Sequence, residues 1–465
     1  MSLTKVTQSM IEGGYVNPLD YGVVPNSQAA AVANLAAFNA AFAAAYANKL
    51  PVRTDGNIYY LSDTLYFPDI QQSSSGAMPA GFVWETDNTR IICTDTSKQA
   101  VLSVPISANF NSGYAHFGKL HLSYLTQSAS GIGFNLNNMN HSSFGEIYTS
   151  NCDTGFYGKS CFAVTWVAFR GYLARISAEF NPLASGSAGS ACTSLKGAIY
   201  SVLCAHGMKF INNFYSDITG FADSSSLGAT YLPAGEVPIA LNIGGGIGST
   251  YKLGCEQWQG VIVRTSADST FATVDLGLVT SVTDQWDTSV TYTNMPIGQN
   301  ALVSVFDACA LILNNAGLGS TTWANGPMTL VYVGVDSTVT HTGGYLLQTG
   351  TQTSFTQVAG NLKGYIPIGN RFATFSPTIY GAIPLEGLVV QNVDVVTSGV
   401  GNYTATWPST FVFIANVTAQ IISAVTYDST KSIQLLGGYG TSSTTVWTDF
   451  PTAQTIRVTA IGKVA

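Results

Sequence analysis

The first clear period in the chain lies in Asn34–Lys49, where Leu35, Phe38, Phe42 and Tyr46 recur at spacings of three, four and four. That spacing puts all four on one face of a helix. Asn34 has the side chain of an N-cap, and the intervening alanines supply helix propensity. The segment reads as a plain core helix. Beyond it the period changes to two. "LPVRTDGNIYYLSDTLYFP" (50–68) reads as strand, turn, strand, and no helical period is sustained from there to the end. Short runs rich in Val, Ile, Tyr, Phe and Thr are punctuated instead by Gly, Asn, Asp and Ser.

Four of these runs share a phrase: "HLSYLTQSASGIGF" (121–134), "SSFGEIYTSNCDTGFYG" (142–158), "KFINNFYSDITGFAD" (209–223) and "YKLGCEQWQGVIV" (251–263). Gly131 and Gly155 stand 24 residues apart, each before a large apolar residue; Gly220 and Gly260 follow at intervals of 65 and 40. A period in the low twenties, lengthened by insertions, is the mark of a β-solenoid. Each coil buries its apolar side by stacking on its neighbours, and Asn and Gly take corners that need left-handed backbone. The expected fold is all-β: a right-handed parallel β-helix behind an N-terminal capping helix. A propeller or a single sandwich is disfavoured, because 110–300 holds few Asn-Gly or Asp-Gly hairpin turns and no WD or kelch signature. Past about residue 315 the pattern shifts. "MTLVYVGVDSTVTHTGGYLLQTG" (328–350) and the last eighty residues read as hairpin-connected antiparallel strands in one or two sandwich-like modules. The expected divisions are 1–15, an N-terminal peptide; 16–315, the capped helix of strands; and 316–465, a β-rich C-terminal region.

Composition narrows the partners. Only 9% of the 465 residues are charged and the formal net charge is −7. No basic stripe exists to collect phosphates, which excludes non-specific nucleic-acid binding. So few charges imply a surface covered by Ser, Thr, Asn, Gln and Gly, or buried against partner chains. The seven cysteines are scattered without a C-x-x-C and read as buried small hydrophobes. His116 and His121 lack further ligands, so neither a metal nor a cofactor is expected. "NIGGGIGSTY" has no G-K-[ST] and reads as a tight corner, and "GSAGSA" reads as a loop. The N-terminus shows no apolar h-region, and the most apolar window is short and broken by asparagines. The expectation is folding in a cytoplasm, without membrane insertion.

The passage from Tyr15 to Phe67 resembles the opening of pectin-lyase-like β-helix proteins, especially bacteriophage tailspikes and capsule depolymerases. Val16, Asp20, Tyr21 and Gly22 match the family's V-x-D-[FY]-G strand, Asn34–Lys49 its alanine-rich helix, and Pro51, Val52, Gly56, Tyr59 and Leu61 the strands that follow. The acidic turn usual after the first element is replaced by "VVPNSQAA", which speaks against an ion there. With the rung phrases, the likeness runs over about residues 15–300. The resemblance implies a homotrimer in a phage tail, assembled in the host cytoplasm, that binds and cleaves capsule, exopolysaccharide or O-antigen. It also implies that the peptide 1–15 joins another tail protein. A receptor-binding spike without catalysis is the alternative, followed by a pectinolytic enzyme, whose D-D and H-G pairs are missing.

Glycoside hydrolysis needs two carboxyl groups facing one groove. The rungs offer Glu146, Asp153, Glu179, Asp217, Asp223, Glu256, Asp268 and Asp275. Glu146, Asp217 and Glu256 are expected to face outward on a common side, with Asp153 in reserve. Trp258 stands two residues from Glu256, and alternation would give both one face, where the indole could stack on a pyranose. Tyr148, Tyr215, Arg170, Arg175 and Trp166 are the expected companions in substrate binding. A lyase mechanism, with Arg170, Arg175 or a histidine neutralising a uronate, stays open.

Overall fold

From residue 52 the chain winds so that each coil gives one strand to each of two long parallel sheets, of fifteen and eleven strands among the described residues. The computed structural model describes residues 14–68, 81–105, 112–180, 191–223, 237–256, 258, 260–265, 270–279, 301–306, 309–319, 329–334, 337–347, 356–358, 361–364, 383–385, 388–409, 411–421, 433–436, 442–448 and 450–464. This is a parallel β-helix. Ser143 pairs with Thr165, Lys196 with Asp217 and Thr250 with Thr273, so the basic coil is 21 to 23 residues. The longer steps carry insertions, as the interrupted rhythm of the sequence implied. The glycines themselves are not equivalent: Ile132 pairs with Thr154, a step of 22, and Gly220 sits in the other sheet opposite Ile199 and Leu253.

The helix spans Ala31–Asn48 and covers the first coils. Phe38 meets Tyr59 edge-on at 5.2 Å, and Phe42 meets Phe82 and Trp84 at 5.1 and 5.0 Å. The segment Gln28–Asn48 is apolar and long enough to cross a bilayer, but Phe38, Ala41, Phe42 and Ala45 are buried on the coil. Asn34 is not the N-cap. It lies inside the helix, fully buried, accepting from the Val24 N–H at 2.7 Å and donating to the carbonyls of Val24 and Tyr60. The cap-like side chain instead pins the incoming turn to the first coil.

In-register stacking organises the interior. Val16, Val52, Trp84, Phe117, Phe144 and Trp166 follow one another in a single inward column. Neighbouring rungs lie about 4.8 Å apart, near the spacing of stacked rings. Phe156 lies flat on Phe169 at 4.3 Å, Trp166 on Phe169 at 4.5 Å, and Phe180 on Phe210 at 5.4 Å. Each such side chain contributes roughly 1.5–3 kcal/mol by burial alone. All seven cysteines are buried free thiols in or beside this core.

The corners are left-handed, and Asn138, Asn151 and Asn212 take positive φ there. Leu173, Leu203, His141 and Tyr215 do so as well.

The coil runs further than the sequence suggested. Thr329–Val333 pairs parallel with Ala301–Val305, and Thr338–Leu347 pairs parallel with Ala310–Gly319 and Asn361–Gly364. The described residues 329–333 and 338–347 are therefore parallel rungs and not hairpins, and among the described residues the coil continues past 315 to Gly364. Alternation is the same in both kinds of strand. Gly344, within that stretch, stays extended opposite Ala316. Among the described residues, antiparallel pairing begins at Ile383. There Thr455–Val464 pairs with Leu388–Val396 and Phe411–Ile421, while Ser443–Thr448 pairs with Gly401–Thr406 and Ile433–Leu436. Val395, Ile456 and Val458 from one sheet meet Ala405 and Val446 from the other in a small sandwich core. Most of the N-terminal peptide, 1–13, lies outside the described residues.

Candidate functional site

Alternation along the longer sheet sends Ile147, Phe169 and Ile199 inward and the residue after each outward. Because the rungs are in register, those outward residues form a column: Arg90, His121, Tyr148, Arg170, Tyr200 and Phe221. Several of these side chains touch. His121 stands edge-on to Tyr148 at 4.5 Å, the Arg170 guanidinium lies over Tyr200 at 4.3 Å, and Tyr200 stacks on Phe221 at 4.8 Å. Tyr172, one column across, runs nearly parallel to Tyr148 at 6.3 Å. Burial, with Arg90 beside it, holds the His121 imidazole down to about 4, so the ring is neutral, with Nε2 3.0 Å from Ser150 Oγ. Burial pushes the Tyr148 hydroxyl up. The result is an external ridge of rings and cations.

Two columns flank the ridge. On one side Glu146, Ala168, Ala198, Thr219 and Lys252 succeed one another, a strip of mostly small side chains. On the other come Ser150, Tyr172, Val202, Asp223 and Glu256. Asp223 and Glu256 are thus register partners on adjacent rungs, both on the outer face.

The structure brings Glu146, Tyr148 and Arg170 onto this face together, with Lys119 Nζ 3.8 Å from the Glu146 carboxylate. It separates Asp217 from Glu256. They close opposite ends of neighbouring strands, and the partner of Glu256 lies six residues from Asp217. At roughly 3.3 Å per residue that is about 20 Å, too far for one catalytic pair. Asp153 belongs to the other sheet's edge, where Arg175 donates to it twice at 2.8 and 2.9 Å. Those two expected site residues neutralise each other.

Trp166 and Trp258 do not offer a ring face to a sugar. Trp166 points inward, its N–H donating to the Ala198 carbonyl at 2.8 Å, and it fills the room left by Gly197, where a Cβ would come 2.4 Å from the ring. Trp258 is fully buried and donates to the Val261 carbonyl at 3.1 Å. The alternation that was to link it to Glu256 stops because Glu256 is the last residue of its strand. Tyr215 is 67% exposed, but at the corner before Asp217 and not on the ridge.

Sequence reading missed Arg90, His121, Tyr172, Tyr200, Phe221 and the pairing of Asp223. The available signal was local: Ile147-Tyr148, Phe169-Arg170 and Ile199-Tyr200 each place an inward apolar residue before an outward ring or cation. It also missed a cleft of about 580 Å³ near the first coils, lined by Tyr15, Arg53, Asp55, Glu85, Asp87 and His116. There Arg53 pairs with Glu85 at 3.1 Å and lies over Tyr15, and the Tyr59 hydroxyl donates to Asp55 at 2.6 Å.

No protein-family model matches the chain, and no curated protein matches it in sequence. In fold it is similar to the tailspike gp42 of Acinetobacter phage vb_AbaP_AS12, with a TM-score of 0.52 at 13% identity over 94% of this chain and 82% of that one. The tailspike of E. coli bacteriophage HK620 aligns over 98% of this chain and 95% of that one, at 9% identity and a TM-score of 0.42. The Agl-KA catalytic domain aligns over 75% and 68%, at 12% and 0.40. The first of these likenesses agrees with the architecture described above: a parallel β-helix.

Proposed function

We propose that the protein is a phage tailspike that binds bacterial surface polysaccharide along the ridge and depolymerises it by glycoside hydrolysis at Asp223 and Glu256. The observation that carries this reading is the juxtaposition of the Tyr148–Arg170–Tyr200–Phe221 column with two carboxylates on adjacent rungs one column away. Rings in line offer flat apolar faces to successive sugars. Adjacent rungs set equivalent side chains about 5 Å apart, which is the separation of a retaining pair. One carboxyl group protonates the glycosidic oxygen while the other attacks the anomeric carbon; water then releases the sugar with its configuration kept.

A spike that binds without cleaving is the second reading. The dispersal of Glu146 and Asp217, and the neutralised Asp153, favour it. In both readings the low charge content fits a homotrimer with a long buried side, located in the virion and assembled in the host cytoplasm. Residues 1–15 then dock into another tail protein, and deleting them should leave a soluble trimer that no longer joins particles.

The deciding experiment incubates the protein with purified capsule or lipopolysaccharide and follows new reducing ends and unsaturated products. Asp223→Asn and Glu256→Gln should each cut turnover about 100- to 10,000-fold with the thermal midpoint unchanged, while Asp217→Asn should not. Wild-type turnover in the first two variants removes the pair. Unsaturated products replace hydrolysis with elimination, and binding without any cleavage leaves the adhesin.

A further inference from the structure

We infer that the glycan held on this ridge is acidic, its sugar carboxylates gripped by Arg90 and Arg170; the inference rests on the polysaccharide reading above. Charge is scarce in this chain, and three of its seven arginines are held in ion pairs. Arg53 pairs with Glu85 at 3.1 Å, Arg175 with Asp153 at 2.8 Å and Arg457 with Asp394 at 2.8 Å. Arg90 and Arg170 pair with no carboxylate among the described residues, and both stand in the ridge column. The nearest acid on that face, Glu146, lies two residues off the column, with Lys119 at 3.8 Å.

The placement of Arg170 is specific. Its guanidinium lies over the Tyr200 ring at 4.3 Å, which fixes the plane while leaving the N–H edge to donate. A planar fork held this way fits a planar carboxylate bidentately, more closely than a lysine would. Between the two arginines come His121 and Tyr148, whose rings touch at 4.5 Å and offer no competing anion. Three rungs separate Arg90 from Arg170, roughly 14 Å at the usual strand spacing, so the two cations address separate acidic groups of one extended chain. The carboxylates Asp223 and Glu256 stand at the other end of the ridge, clear of the anions bound near Arg90.

The test is an array of purified bacterial surface polysaccharides, acidic and neutral, each printed native and after chemical reduction of its carboxyl groups. Wild-type protein should bind only carboxylated glycans and lose them at least tenfold on reduction. Arg90→Ala and Arg170→Ala should each weaken binding about tenfold at an unchanged thermal midpoint, and the loss should shrink at high salt. A neutral glycan bound as tightly, binding that survives carboxyl reduction (as a phosphate-bearing glycan would show), or wild-type affinity in both variants overturns the acidic reading while polysaccharide binding stands. Binding to no glycan at all brings down the polysaccharide reading itself. The reduction arm uses the unaltered protein, so misfolding of a variant cannot blur the result.

Discussion

The same repeat stacks rings on both sides of one sheet, and the two stacks do different work. Inside, Phe156, Phe169, Trp166, Phe180 and Phe210 succeed one another at 4.3 to 5.7 Å, nearly parallel and sealed from water. Outside, His121 meets Tyr148, and on the following rungs Arg170, Tyr200 and Phe221 meet in turn, at comparable distances with one side open to solvent. The rung spacing explains why both exist. Parity along the strand decides which is which: Phe169 and Arg170 are consecutive, and one holds the coil while the other faces outward. Stacking by itself is therefore no sign of binding here; only the outward parity leaves the rings within reach of a ligand.

The largest contrast should come from removing a ring on each side. Phe169→Ala leaves a void between Phe156 and Trp166, and such truncations cost about 3–5 kcal/mol. Denaturant unfolding checks it, and a loss below about 1 kcal/mol would mean that the interior stack is not what holds these coils together.

Next in size is a pH effect on the outer stack. The His121 imidazole titrates at about 4 in the folded chain against 6.5 ordinarily, because it is buried with Arg90 beside it. A depressed folded value means that the unfolded chain takes up the proton first. The contribution is thus complete above pH 6.5 and is lost as pH falls toward 4, about 3 kcal/mol in all. Unfolding measured from pH 7 to 4 should show this slope, and His121→Gln should flatten it. Equal slopes in the two proteins would show that other groups govern the acid loss.

Tyr200→Ala reverses the pattern of Phe169→Ala. Its ring lies between Arg170 and Phe221 on the surface, so stability should change by less than about 1 kcal/mol. Glycan affinity should fall about tenfold, as Arg170 loses its platform. Calorimetric binding and unfolding on one sample separate the two effects; a variant that unfolds easily yet binds normally would exchange the roles of the two stacks.

These parities explain what could be read from the sequence. The solenoid was legible because its coil length and apolar alternation are local properties, and the capping helix because its period is local too. The ridge was not, because a column depends on register, and insertions such as the one between Phe180 and Cys192 hide register from any count of residues. Tyr148 and Arg170 were picked as single residues, while Tyr200 and Phe221, which complete their column, were passed over. Trp258 misled because the strand ends at Glu256, where the alternation that was to link the two stops; Trp166, named as a companion without that argument, lies on the inward side of a strand whose register shifts between Thr165 and Ala168. Parallel and antiparallel strands share one alternation, so the boundary near 315 was equally invisible.

The smallest effect concerns the corners that bring each rung back into register. Asn151, Leu173 and Leu203 each follow the last of three paired positions, Ser150, Tyr172 and Val202, with φ of 56°, 51° and 54°. An L-residue pays about 1–2 kcal/mol in that region, and asparagine pays least because its side chain bonds locally. Asn151 also ties its corner to the preceding rung, its amide donating to the Tyr124 carbonyl at 3.3 Å. Leu203→Asn keeps the backbone N–H that donates to the Asp223 carbonyl at 3.1 Å and relieves the strain. It gives up part of a half-buried side chain in exchange. The net expectation is a gain of about 0.5 kcal/mol, read as a small rise in the unfolding midpoint with glycan binding unchanged. A loss instead would mean that leucine's packing across the corner outweighs its backbone strain, and that the coil is held at its edges by the same apolar contacts that hold its centre.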